Sequence, residues 1–259
     1  YTGAIDYSKL QFSTFITDRN GQLLNVLLAE DDRYRLPTSV EDVDPAYLKL
    51  LKAYEDRRFD EHHGVDWLAL LRASWQLVTN GRVVSGASTL TMQAVKLLEP
   101  KPRTVWNKLD QMRKALALER RHSKEEVLHM YLSLAPFGGN IESVKMAALR
   151  WFGKSAVQLS PAESALLVAL PQSPERRRPD RHAEYARQAR TRILERAVSA
   201  QLIDQEYLES AALSPVPSRQ LPLPKFATHL TWRVHYSERM SPATSLDKNL
   251  QIQLEQLAL

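Results

Sequence analysis

The chain has 259 residues, enough for one large domain or two small ones with a sizeable core. It has no cysteine, which excludes a disulfide framework and a thiolate metal site, and only 8 glycines, which argues against a turn-rich all-β fold. No apolar run approaches the roughly 20 residues that span a bilayer, and a formal charge of +5 favours an anionic partner: nucleic acid, a phosphate-bearing substrate or an acidic lipid surface.

Residues 1–45 are the least helical part. Phe15-Ile16-Thr17 and Leu23-Leu24-Asn25-Val26-Leu27-Leu28 flank Asp18-Arg19-Asn20-Gly21, and Asn-Gly between apolar runs predicts a β-hairpin. From there Leu, Ala, Glu and Arg dominate and favour helices. Pro45 opens one in which Tyr47, Leu50, Leu51 and Tyr54 recur at helical spacing, so Glu55 follows an apolar stripe. The next segment, Glu55-Asp56-Arg57-Arg58-Phe59-Asp60-Glu61-His62-His63-Gly64, sets four carboxylates, two histidines and two arginines around one phenylalanine. Alone, it reads as an amphipathic helix end with surface ion pairs. A carboxylate at the edge of an apolar patch is also a candidate general base.

A helix is expected over residues 65–79, carrying Trp67, Leu68, Leu71, Trp75 and Val78, with Gly81 as its stop. Gly86-Ala87-Ser88-Thr89-Leu90-Thr91-Met92-Gln93 then gathers hydroxyls and an amide before a short helix at 91–98 that ends before Pro100. Its plain reading is an N-cap built from Ser88 or Thr89. Its donors also suit an anion or a sugar, with Lys96 one turn on as a cation. The next helix, 104–121, carries Val105, Leu109, Met112 and Leu116 on one face. Ser123-Lys124-Glu125-Glu126 is a capping box opening the helix through Tyr131 and Leu132.

Pro136-Phe137-Gly138-Gly139-Asn140 is a turn, and the helix after it ends at Gly153. A second capping box, Ser160-Pro161-Ala162-Glu163, opens a helix over 162–170 that is apolar enough to be central. Arg176-Arg177-Arg178 reads as a solvated or phosphate-facing surface. Helices are expected over 183–201 and 204–212, then a Pro-rich linker at 214–224 and a short mixed tail. Ser245-Leu246-Asp247-Lys248 matches the Ser-x-x-Lys of penicillin-reactive enzymes without its companion motifs, so chance accounts for it. His62 and His63 lack a third ligand at metal spacing, so no zinc site is expected.

Taken in order, these segments resemble glycosyltransferase family 51, the peptidoglycan glycosyltransferases of bifunctional penicillin-binding proteins. Glu-Asp-x-x-Phe-x-x-His-x-Gly is matched by Glu55, Asp56, Phe59, His62 and Gly64. Gly-x-Ser-Thr-Leu-Thr-x-Gln is matched by Gly86, Ser88, Thr89, Leu90, Thr91 and Gln93, with Met92 in place of the more usual Gln. Ser-Lys-x-x-x-Leu-x-x-Tyr-Leu is matched by Ser123, Lys124, Leu128, Tyr131 and Leu132. Ala-Ala-x-x-x-Phe-Gly-Lys is matched by Ala147, Ala148, Phe152, Gly153 and Lys154. Four ordered motifs over roughly residues 36–212 are a specific signature.

The resemblance implies a mainly α, lysozyme-like glycosyltransferase fold. It would have a large helical lobe, a smaller membrane-proximal jaw and a short N-terminal β-hairpin. It implies three parts: a β-containing segment at 1–45, the glycosyltransferase domain at 46–213, and at 214–259 a linker with the start of an absent transpeptidase domain. It implies polymerisation of lipid II into β-1,4 glycan strands with inversion. Glu55 would be the general base, with Asp56, Phe59, His62, Gly86, Ser88, Thr89, Gln93, Lys96, Lys108 and Gln111 around the substrate. Asp56 and His62 would hold the loop around Glu55. No cofactor is required, no metal ligand is assigned, and a divalent cation (Mg or Mn) is allowed at the pyrophosphate.

The expected partners are lipid II and the growing glycan strand, the membrane surface and cell-wall synthesis proteins, with no nucleic acid. The expected location is the periplasmic face of the bacterial inner membrane, with an anchor outside this chain. A lysozyme-like hydrolase and a weakly active scaffold module are the alternatives. One departure stands out: Asn107-Lys108-Leu109-Asp110-Gln111 occupies the place where many relatives carry Arg-Lys-x-x-Glu. Gln111 puts an amide where a carboxylate is usual, and Asp110 lies about 100° away around the helix.

Overall fold

The computed structural model of the chain describes residues 10–80, 88–237 and 243–258. Gly81, read as a helix stop, and Gly86, read as a substrate-binding residue, lie outside the described residues. The fold is mainly α, with one small sheet. In chain order run strands β1 (Phe15–Thr17) and β2 (Leu23–Val26), then helices α1 (Pro45–Glu55), α2 (Trp67–Asn80), α3 (Leu90–Leu98) and α4 (Val105–Glu119). There follow α5 (Lys124–Leu134), α6 (Val144–Phe152), α7 (Pro161–Ala169), α8 (Ala183–Ser199), α9 (Gln205–Leu213), α10 (Thr228–Tyr236) and α11 (Lys248–Leu257).

Helix α7 is the centre of the core. Ala162 and the run from Ser164 to Leu170 are buried, as an all-round apolar helix must be. Its start is fixed from the sequence: the Ser160 hydroxyl accepts from the Glu163 N–H at 3.3 Å, and the Glu163 carboxylate accepts from the Ser160 N–H at 2.7 Å. α7 packs against α1 and α8, while α3 packs against α4 and α5. The second capping box forms at Ser123 and Glu126. α6 ends at Gly153, whose φ of +70° is cheap only for glycine.

The expected hairpin is present, antiparallel, with Phe15 opposite Val26 and Thr17 opposite Leu23. Its turn is tied by Asp18, whose carboxylate accepts from the Asn20 and Gln22 N–H groups, both at 2.8 Å. Two strands alone are marginal in water. Here the far end of the chain completes them. The Phe226 N–H donates to the Leu24 carbonyl and the Thr244 N–H to the Thr17 carbonyl, each at 2.9 Å. Ile16 and Leu24 form a small second core with Val234 of α10. The Pro-rich stretch has no regular element, yet it is held on α6: the Leu221 N–H donates to the Arg150 carbonyl at 2.7 Å.

Two helices turn an apolar face outward. On α2, Trp67, Leu68, Leu71 and Trp75, and on α4, Val105, Trp106 and Leu109, are between 50% and 80% exposed. Helical periodicity alone reads both stripes as core-facing. α2 instead buries the small side chains Ala69 and Ala73. Among the described residues, no helix is long and apolar enough to cross a membrane.

Candidate active site

The charged segment after α1 folds into a closed loop stapled to the start of α3. The helix stops at Glu55 because the Asp56 backbone is extended, although its N–H still donates to the Lys52 carbonyl at 2.9 Å. The buried Asp56 carboxylate accepts from the Leu90 N–H at 2.9 Å and from His62 Nε2 at 3.0 Å. Leu90 opens α3, so this carboxylate meets free backbone donors at a helix N-terminus. At the other end of the loop the Thr89 hydroxyl donates to the Gly64 carbonyl at 2.6 Å and accepts from the Met92 N–H at 3.1 Å. Gly64 has φ +88°, and a Cβ there would stand 2.5 Å from the Ala115 carbonyl oxygen of α4, so only glycine fits. Phe59, 1% exposed, fills the loop. His62 meets its ring edge-on with centroids 6.2 Å apart, and Lys124 Nζ sits 4.4 Å from its centroid. The Glu-Asp-x-x-Phe-x-x-His-x-Gly spacing is therefore the spacing of a loop that fixes one residue, Glu55.

Glu55 itself is half-buried, and amides hold both of its carboxylate oxygens. Gln93 Nε2 on α3 donates to Oε2 at 2.8 Å, and Gln172 Nε2, just past α7, donates to Oε1 at 2.7 Å. Below it lie the buried hydroxyls of Tyr47 and Tyr131, without a hydrogen-bond partner among the described residues. Burial, and then the Glu55 charge, holds both phenols far above their ordinary range, so they stay neutral.

Two cavities meet at this carboxylate. One, of about 480 Å³, is lined by Glu55, Gln93, Lys96, Arg103, Lys108, Asp110, Gln111 and Lys114. The other, of about 400 Å³, is lined by Glu55, Asp56 and Asp66 and by Arg57, Arg58, Arg72 and Arg196, with Arg58 3.1 Å from Asp66. Ser88, Gln93 and Gln172 also line both. A larger cavity of about 820 Å³ shares Lys96 and Glu99 with the first but does not include Glu55, so it is the less relevant one here.

The first cavity is a basic pocket with internal pairing. Lys101 lies 2.8 Å from Asp110, and Lys114 pairs with Glu99 and, at 3.5 Å, with Asp110. The bonds from Lys101 and Arg113 hold the Asp110 carboxyl well below the usual carboxylate range. Lys96, Arg103 and Lys108 have no carboxylate partner among the described residues. Lys108 Nζ donates to the Ser88 hydroxyl at 2.5 Å and to Gln111 Oε1 at 3.1 Å. Burial, and then the Lys96 ammonium, pushes its proton affinity down. Two ammonium groups held this close favour a multivalent anion. Gln111 Nε2 donates to the Met92 carbonyl.

No group of three or more His, Asp or Glu side chains among the described residues could hold a metal. Position 111 is an amide, and Glu99 and Asp110 are already paired with lysines.

The structure thus gathers Glu55, Ser88, Gln93, Lys96, Lys108 and Gln111 on one cleft. Thr89 and Asp56 touch only the second cavity, while Phe59 and His62 line neither. Both are buried inside the loop, Phe59 as its filling and His62 in the loop-holding position expected of it. Asp110 was expected to turn away from the cleft, yet it lines it together with Gln111, because the cavity wraps further round α4 than one residue step. Sequence reading missed Gln172 and Arg103. Gln172 follows the apolar helix α7 closely, and only the packing of α7 against α1 brings it to Glu55. The Arg176-Arg177-Arg178 run, expected as surface, splits three ways. Arg176 lies over the Tyr185 ring, Arg178 pairs with Asp180 at 2.7 Å, and Arg177 turns toward Gln172.

A carboxylate fixed between two cavities rich in lysine and arginine is an arrangement able to move a proton beside an anionic group. Residues 20–198 match the family model described as Transglycosylase, and the chain belongs to that family. Among curated proteins it is 42% identical to penicillin-binding protein 1C of Escherichia coli over 88% of this chain and 30% of that protein. It is 30% identical to penicillin-binding protein 1A of Pseudomonas aeruginosa over 80% of this chain and 25% of that protein. It is 31% identical to penicillin-binding protein 1A of Aquifex aeolicus over 83% of this chain and 29% of that protein. The chain therefore spans less than a third of the length of these relatives. A crystal structure of penicillin-binding protein 1A from Haemophilus influenzae aligns over 88% of this chain and 24% of that chain, with a TM-score of 0.47 and 18% identity.

Proposed function

We propose that this chain is a peptidoglycan glycosyltransferase that polymerises lipid II into β-1,4 glycan strands at the outer face of a bacterial inner membrane. Glu55 is the general base. It takes the proton of the acceptor sugar's 4-hydroxyl as that oxygen bonds to the donor's anomeric carbon. The bond from that carbon to the undecaprenyl pyrophosphate breaks on the opposite face, which inverts the centre. Lys96, Lys108 and Arg103 meet the leaving pyrophosphate, and Ser88 and Gln93 orient the sugars. The observation that supports this most is the position of Glu55, clamped by two amides where the two basic cavities join. Polymer formed from lipid II by the detergent-solubilised chain tests the reading. Fragments released from cell wall, without polymer, would point to a hydrolase instead.

In this reading the lysines carry the charge-neutralising role without a divalent cation. Gln111→Glu places a carboxylate beside Lys108 and Met92 and so competes with the pyrophosphate for Lys108. Without divalent cation its polymerisation rate is expected to fall by about tenfold, the worth of one charge-assisted contact. Added Mg²⁺ should restore it and should leave the parent chain unaffected. Equal rates for both chains with Mg²⁺ and with a chelator would place position 111 outside the donor site.

The exposed apolar faces of α2 and α4 suit a lipid surface. Trp75→Asp combined with Trp106→Asp is expected to weaken partition onto phosphatidylglycerol vesicles at least about tenfold, since burying one large side chain is worth about 1.5–3 kcal/mol. Vesicle sedimentation measures it; unchanged partition would assign those faces another role.

A further inference from the structure

Gln172 donates to Glu55, but an amide side chain does not orient itself. Its oxygen and nitrogen are nearly the same size, so its neighbours decide which points where. Turned over, it would set its carbonyl oxygen against the Glu55 carboxylate. Arg177 prevents this. Its Nη1 donates to Gln172 Oε1 at 2.9 Å and to the Ala169 carbonyl at 2.6 Å. A guanidinium only donates, so the oxygen of Gln172 must face Arg177 and the nitrogen must face Glu55. Ala169 ends α7, which anchors the guanidinium to the most buried helix of the fold.

We infer that Arg177 is a positioning residue for Glu55, acting through the Gln172 amide as a two-step relay. It lines neither cavity, and its hydrogen-bonded link to Glu55 runs through Gln172. Gln93 approaches the other carboxylate oxygen from α3. Together the two amides set the Glu55 carboxylate from both sides, and the Arg177 side is the one locked by a charge. The inference rests on Glu55 being the base; the amide orientation does not.

Two readouts keep these apart. In the ¹⁵N-labelled chain, the Gln172 side-chain amide, assigned by its absence in Gln172→Leu, should exchange its protons slowly. Arg177→Met should speed that exchange at least about tenfold, as loss of a protecting bond does. The same variant should lower kcat for lipid II polymerisation about 10- to 100-fold with KM unchanged, the size of effect that misplacing a catalytic group produces. Arg177→Lys keeps a donor and should recover most of the loss. Unchanged amide exchange in Arg177→Met, or an unchanged kcat, overturns the relay. If Arg177→Met does not fold, Gln172→Leu removes the same link from an exposed side chain and must show the same kcat loss; parental kcat there overturns the relay too. Activity surviving in Glu55→Gln would instead sink the base assignment and leave the amide measurement standing.

Discussion

Glu55→Gln is expected to lower lipid II polymerisation by about 10²- to 10⁴-fold, the usual range for losing a general base. The replacement has nearly the same volume, and it stays bracketed by Gln93 and Gln172. One of its two polar ends, now an NH₂ group, will face another amide NH₂. That should cost about 1 kcal/mol of stability, the net worth of one hydrogen bond, too little to unfold the chain. The fold is checked by thermal unfolding and the chemistry by gel analysis of glycan chains. A loss of less than tenfold would mean that another group takes the proton.

Asp56→Ala should act the other way, on stability first. Removing the carboxylate leaves the Leu90 N–H and the His62 Nε2–H buried without an acceptor. Each such orphan costs about 1–3 kcal/mol. His62 Nδ1 already lacks a partner among the described residues, so the ring would lose its remaining anchor. The sum, about 4 kcal/mol, corresponds to a fall in Tm of about 10 °C for a chain of this size. Polymerisation should be lost with it, since the loop no longer fixes Glu55. A fall in Tm below about 2 °C would show that the staple between loop and α3 is dispensable.

Much of the fold was legible because local chemistry settles it. Asn20-Gly21 between apolar runs, Pro161 behind Ser160, and Ser123 three residues before Glu126 each fix an element end wherever the chain goes. The loop motif was legible as a pattern, but not the split between its members. Phe59 and His62 face inward while Glu55 faces the cleft, and that depends on where α3 and α4 pass. Gln172 and Arg177 were illegible because they matter only once the end of α7 reaches the end of α1. The exposure of Trp75 and Trp106 was illegible for another reason: an apolar stripe has the same period whether it faces a core or a membrane. α10 and α11 escaped notice because their pairing partner, the hairpin, lies some two hundred residues earlier.

The resting contacts of Lys108 have one more consequence. It leans on a hydroxyl and an amide oxygen, both neutral. A lysine tied to a carboxylate must abandon an anion before it can serve another, and the stranded anion then repels the newcomer. In the proposed reaction Lys108 would leave nothing charged behind on turning to a diphosphate. On that proposal the amide at position 111 works like an unlatched berth, to which release of the spent diphosphate would return the lysine without a competing ion pair to re-form.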